Sequence, residues 1–212
     1  VSVPGSTSLL REYDLDFCCG GSDTLANAAA EKGLNLAEIE TRLTELQNSK
    51  AENPEEYWVN ATYPEIIDHI LVRYHQRHRE QLQELIVLAD RVESVHGDRE
   101  DCPIGVAAEL RNVYEDLSNH MMKEEHVLFP MIKAGNYMMA QMPIRMMEME
   151  HAEHGEHLDV LKSLTNNMTP PADACNTWRA LYSGIQEFAD DLMMHIHREN
   201  NILFPRVVAE NH

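Results

Sequence analysis

The chain has 212 residues, 43% hydrophobic and 25% charged, the balance of a globular protein with enough length to bury a sizeable core. Acids outnumber bases 36 to 17, for a net charge of −19, which repels phosphate backbones and anionic lipid and argues against nucleic acid or a membrane surface as partner. No run approaches the roughly 18 apolar residues of a membrane span, and the opening segment lacks the basic stretch and apolar core of a signal peptide, so a cytoplasmic location is expected.

Two short helices are predicted first. Ser22 caps a segment from Leu25 to Glu31 that Gly33 closes, and Asn35 caps Leu36 to Leu46. They make a small helical N-terminal domain over residues 1–48. Residues 49–61 lose periodicity and read as a linker. Beyond them, Thr62 and Glu65 stand at capping-box spacing and open a long helix to about Val95. A second runs from Ile104 to near Lys133, a third follows Pro143 to near Leu164, and a fourth runs from near Ala172 to about Val208. Four long helices with short connections pack as an antiparallel four-helix bundle over residues 62–212, so the fold class is all-α.

The seams of these helices carry an unusual set of residues. Trp178, Leu181, Ile185, Phe188, Leu192, His195, Glu199 and Ile202 alternate 3 and 4 apart, the pattern of a face turned to a bundle core. The third helix gives Ile144, Met147, His151, His154, Leu158 and Leu161. The second gives Val106, Leu110, Val113, Leu117, His120, Glu124, Leu128 and Met131, and the first gives Leu71, His75, His78, Leu82 and Leu85. Each helix delivers histidine to the interior.

An internal repeat organises them. His120 to Pro130 and His195 to Pro205 both read His-x-x-x-Glu-x-x-x-Leu-Phe-Pro. Upstream, His75-Gln-Arg-His78 matches His151-Ala-Glu-His154, and the leading His precedes its motif by 45 residues in one half (75 to 120) and 44 in the other (151 to 195). The bundle is thus expected to be two helix pairs related by a pseudo-twofold axis. Residues i and i+4 share a helix face about 6 Å apart along the axis, so each His and Glu converge. A single His-x-x-x-Glu is more often a buried hydrogen-bonded pair than a metal site. Two in register, each with an upstream seam His, favour metal, because burying two ionised Glu without compensation costs several kcal/mol. Imidazoles with two carboxylates suit a dinuclear iron centre better than structural zinc or calcium.

His75, His120, Glu124, His151, His195 and Glu199 resemble the ligand set of the hemerythrin-like di-iron fold over about residues 62 to 208. The resemblance implies two iron ions with an oxo or hydroxo bridge. It departs from the oxygen-carrying hemerythrins, whose third helix supplies two His four apart: here the residue four after His151 is Gly155, which implies an open coordination position for O2 or NO. Tyr13-Asp-Leu-Asp16-Phe-Cys18-Cys19-Gly20-Gly21 is similar to the double-cysteine motif of the bacterial di-iron proteins for repair of iron centres (RIC). With Arg73-Tyr74-His75 and His120-Met-Met-Lys-Glu124-Glu125, that similarity spans nearly the whole chain.

The family resemblance implies repair of iron-sulfur clusters damaged by nitrosative or oxidative stress, by iron donation, with the damaged cluster proteins as partners. Two alternatives share the site: a di-iron NO reductase producing N2O, and a non-enzymatic O2 or NO binding and sensing module. Adjacent Cys18 and Cys19 form a disulfide only with strain, so an exposed thiol pair for redox exchange or iron transfer is expected, against the bland reading of small buried hydrophobes assigned to Cys102 and Cys175. The linker permits a homodimer. His78 and His154 are expected near the ligands without binding metal, Glu150 faces either the site or solvent, and His69, His96, His126, His157 and His197 are expected at the surface. Nine of the 12 methionines fall between Met121 and Met149 and are expected to fill the core.

Overall fold

The computed structural model describes residues 3–18, 24–48 and 54–210, and all regular elements among them are helical. Cys19, Gly20, Gly21 and Ser22 lie outside the described residues. In the N-terminal unit, α1 (Ser6–Glu12), α2 (Leu25–Glu31) and α3 (Leu36–Asn48) close around Leu15, Ala29 and Ile39. The first of these helices is not foreshadowed by the sequence periodicity. The cap of α2 is Thr24 rather than Ser22, its hydroxyl accepting from the Asn27 backbone N–H at 3.2 Å. The expected linker contains a helix, α4 (Pro54–Asn60). Trp58 anchors it, packing on the bundle core with the Arg198 guanidinium 4.8 Å from its ring centroid.

The bundle opens as expected, with Thr62 and Glu65 forming a reciprocal capping box on α5 (Tyr63–His69). A π turn (Ile70–His75) leads into α6 (Gln76–His96). The second rod is α7 (Val106–Lys123), a π turn (Glu124–Leu128) and α8 (Phe129–Lys133). The third is α9 (Tyr137–Leu164) without interruption, and the fourth is α10 (Asn176–Arg198), a π turn (Glu199–Leu203) and α11 (Phe204–Ala209). Helix α6 packs between α10 and α7, and α7 packs on α9. No helix among the described residues is long and apolar enough to cross a membrane.

The repeated Leu-Phe-Pro accounts for two of the π turns. A proline ring crowds the carbonyl four residues back and lacks an N–H to bond it. Ahead of Pro130 and Pro205 the chain widens instead, and the N–H groups of Phe129 and Phe204 bond the carbonyls of Glu124 and Glu199, five residues back. The extra residue shifts the seam: Tyr74 and His75 both face inward, while Leu71 and Met131 are only partly buried. The other expected seam residues are buried. Helix α9 starts at Tyr137, six residues before Pro143, which sits inside it. The carbonyl left without its bond is that of Met139, an exposed residue where water can take the donor's place.

Two apolar clusters fill the bundle. One includes Leu82, Leu110, Leu117, Trp178 and Phe188, the other Ile66, Ile70, Phe129, Ile144 and Phe204. Along every rod the buried His and Glu residues fall between them. The methionines depart from expectation. Met121 and Met147 are buried, whereas Met122, Met138, Met139, Met142, Met146 and Met149 are exposed, because the seam of α9 is taken by Ala140, Ile144 and Met147 and leaves its other faces to solvent.

Candidate metal centre

The four rods bring all six expected metal-ligating side chains into the layer between the two clusters, each at most 1% exposed. His75 stands at the end of the first π turn, and Glu124 and Glu199 open the other two. His120 and His195 lie one turn before their glutamates, and His151 projects from the middle of α9. Their donor atoms form two overlapping groups able to hold a metal ion: His75, Glu124, His195 and Glu199, and His120, Glu124, His151 and Glu199. Both carboxylates belong to both groups. Glu124 Oε2 lies 3.3 Å from His75 Nε2 and 3.4 Å from His120 Nε2; Glu199 offers Oε2 to His151 Nε2 at 3.1 Å and Oε1 to His195 Nε2 at 3.3 Å. Each glutamate therefore spans from one imidazole pair to the other.

The donor set fits a metal by its own geometry. His75 and His195 point their Nε2 atoms at each other across 3.2 Å, and His120 and His151 across 3.1 Å. The four carboxylate oxygens are buried yet lack well-formed hydrogen bonds, despite the nearby imidazoles. Such groups carry a penalty of about 1–3 kcal/mol or more each unless something satisfies them, and a cation does so for both carboxylates together. Behind the pairs, outer partners fix which nitrogen faces inward. His75 Nδ1 donates to Glu125 Oε1 at 2.8 Å, and His120 Nδ1 to Glu150 Oε2 at 3.0 Å. Hydrogen bonds from these imidazoles hold the Glu125 and Glu150 carboxyls down at about 2 against burial, with Arg79 and Lys123 assisting. Ionised carboxylates can only accept, so Nδ1 carries a proton and Nε2 is the nitrogen turned to the centre. His151 Nδ1 donates to the Asn200 Oδ1 amide oxygen at 2.8 Å.

The two glutamates differ. Burial raises both carboxyls, but the His120 and His75 imidazoles outweigh it at Glu124, which is held well below its ordinary value. At Glu199 burial and the neighbouring Glu124 charge win over His151, pushing it up to about 7. Two like charges sharing a dry site behave this way.

Other expectations fare unevenly. His78 and His154 are buried beside the site, outside both groups, and burial keeps His78 well below its usual range and His154 at about 2. His197, expected at the surface, is buried because Phe17 packs edge-on against it at 5.4 Å. Cys18, expected in an exposed loop, is buried against the bundle, with Sγ 3.2 Å from Asp16 Oδ1. Cys102 is buried as expected, whereas Cys175 is exposed at the start of α10. Gly155 and Cys18 line one cleft of about 300 Å³ between the N-terminal unit and α9. The imidazole supports Glu125 and Asn200 were missed. They follow Glu124 and Glu199 directly, so the repeat itself carried the signal.

Paired imidazoles that share carboxylates inside a four-helix bundle make a cation-binding helical domain. Residues 66–207 match the hemerythrin HHE cation binding domain, and residues 1–47 match ScdA_N, a domain of unknown function. The chain belongs to the hemerythrin HHE family, in the branch that carries this N-terminal domain and forms the family of proteins for repair of iron centres. It is 68% identical to a protein of Haemophilus influenzae named "Probable iron-sulfur cluster repair protein", across 99% of this chain and 94% of the relative. Proteins named "Iron-sulfur cluster repair protein YtfE" from Musicola paradisiaca and Escherichia coli are each 55% identical, over 98% and 99% of this chain and 93% and 94% of their own lengths.

Proposed function

We propose that this chain is a di-iron protein that repairs iron-sulfur clusters damaged by nitrosative or oxidative stress, donating iron as its cargo to the damaged protein. The observation that carries the proposal is the pair of buried imidazole couples sharing two carboxylates whose oxygens lack well-formed hydrogen bonds. In this reading His75 and His195 would hold one iron and His120 and His151 the other, Glu124 and Glu199 would be shared between them, and the pair would carry an oxo or hydroxo bridge. Bound there, two ions would supply redox capacity and a position for NO or O2. The protein's own part is to turn the Nε2 atoms of His75, His120 and His151 to the centre through their Nδ1 partners and to exclude bulk water. Residues 1–48 form the double-cysteine domain, 49–61 a connection and 62–212 the iron-holding bundle, with Cys18 and Cys19 serving redox exchange or iron transfer. The relatives' names support iron-sulfur cluster proteins as the partners.

The test begins with iron content of the purified protein against His120→Ala and Glu199→Ala variants, both expected to lose most of their iron. Iron transfer to a protein with a damaged cluster is then compared with free ferrous iron and with a Cys18→Ala/Cys19→Ala variant. Faster recovery with the loaded chain supports donation; equal recovery with free iron overturns it. Production of N2O from NO over many turnovers, with an external electron donor re-reducing the protein, would make it an enzyme instead.

A further inference from the structure

The side chain of Asn200 touches both the metal centre and the N-terminal unit. Its Oδ1 accepts from His151 Nδ1 at 2.8 Å, and its Nδ2 donates to the backbone carbonyl of Cys18 at 2.9 Å. The assignment of the two amide atoms follows from the partners. A carbonyl can only accept, so the NH2 group faces Cys18; the oxygen then faces the imidazole, which must donate from Nδ1. His151 is thereby held with its Nε2 toward Glu199 and His120.

The internal repeat shows what is special about this position. Asn200 stands where Glu125 stands in the other half: each follows a shared glutamate and supports the imidazole of a neighbouring rod, His151 or His75. A carboxylate suffices for supporting an imidazole. It has no hydrogen to give, so it cannot also hold a backbone carbonyl. The amide does both. Asn201 adds a second clip, donating to the Phe17 carbonyl at 3.1 Å without touching any of the six donor residues by a hydrogen bond.

We propose that Asn200 is a positioning residue that couples the seating of the Cys18 segment on the bundle to metal retention at His151. The proposal rests on the metal reading of the centre. Coupling is reciprocal: an ion on Nε2 fixes the imidazole, which fixes the amide, which holds Cys18. Displacing Cys18 in turn frees the amide to rotate and loosens His151.

The experiment is hydrogen exchange of the full chain, followed by mass spectrometry over residues 9–18, with the protein loaded with ferrous iron or stripped of it, and iron content measured alongside. In the wild type, iron is expected to slow exchange there by about fivefold, the factor equivalent to one net hydrogen bond of about 1 kcal/mol. Asn200→Asp keeps the acceptor for His151 and loses the donor, so iron is retained while exchange becomes equal with and without it. Asn201→Ala, which removes a clip with no link to His151, speeds exchange in both forms but keeps the fivefold ratio. Asn200→Ala, losing both bonds, lowers iron affinity by about 10- to 100-fold. Wild-type protein that holds iron without any change in exchange overturns the coupling alone, as does Asn200→Asp with an undiminished ratio. Wild-type protein that holds no iron overturns the metal reading and the coupling with it.

Discussion

Replacing Glu199 by Gln separates what the buried carboxylate costs the fold from what it does for metal. The side chain is fully buried, its oxygens lack well-formed hydrogen bonds, and its carboxyl is pushed from an ordinary 4.5 to about 7 by burial and by the Glu124 charge. A group that binds its proton more tightly in the folded than in the unfolded chain makes folding less favourable as pH rises between the two values. At about 1.4 kcal/mol for each tenfold change in proton affinity, that rise corresponds to about 3 kcal/mol. Glutamine mimics the protonated carboxyl. Urea denaturation of protein stripped of metal should therefore show Glu199→Gln and wild type equal near pH 4.5 and the variant more stable by about 3 kcal/mol at pH 8. Adding ferrous iron should reverse the order, because a ligand that binds only the native state stabilises it and the amide is a poor replacement for a bridging carboxylate. A variant no more stable than wild type at pH 8 without metal would refute the reasoning, since Glu199 would then have adequate partners within the protein.

Three further outcomes follow from the packing and the charges. A Cβ at Gly184 would sit 2.7 Å from Leu85 Cδ2, in a side chain only 3% exposed; overpacking of about 1–3 kcal/mol exceeds the gain of about 1 kcal/mol in helix propensity, so Gly184→Ala should be destabilised by about 1 kcal/mol in urea, and a stabilised variant would contradict the crowding. Burial opposes charge on His157, but Glu109 at 2.6 Å and Asp116 at 3.1 Å raise its pKa above 6.5. Its contribution is then present in full below about pH 6.5 and lost as pH rises through the raised value, so the stability deficit of His157→Gln should shrink with rising pH; a constant deficit would show that charge is not involved. Pro205→Ala removes the ring that crowds Asn201, lets the π turn tighten, and rotates Glu199 relative to His195; iron bound per chain should fall, and unchanged content would mean that the proline does not hold the turn open.

The bundle and its six buried donors were legible because the interior pattern and the repeat agreed: His and Glu occupied positions that elsewhere on the same seams hold Leu and Ile. Two of the three π turns are written in Leu-Phe-Pro, yet a 3-and-4 spacing tolerates one inserted residue and conceals it. Pro143 has the local signature of a helix start, yet α9 begins six residues earlier because water can replace the lost bond at an exposed carbonyl upstream. Burial of Cys18 and His197 could not be inferred from local sequence. Both result from the N-terminal unit lying on the bundle, with Asp14 bound to Lys162 at 2.7 Å and Asn201 bound to Phe17, contacts between segments far apart in the chain. Asn200 was overlooked for the opposite reason: the repeat pointed to its position, but only the amide's second partner revealed why that half differs.

The layer of His and Glu also divides the hydrophobic interior, with Leu82 and Trp178 on one side and Ile66 and Phe204 on the other. Each apolar half closes on itself, and the six polar side chains are their meeting plane. Ring contacts bind the layer to both halves, His75 lying on Phe129 and His151 on Phe204 on one side and His78 meeting Phe188 on the other. A cation held by that layer would bind side chains from all four rods at once and so would tie the two halves together, and its loss would loosen the bundle where the halves meet.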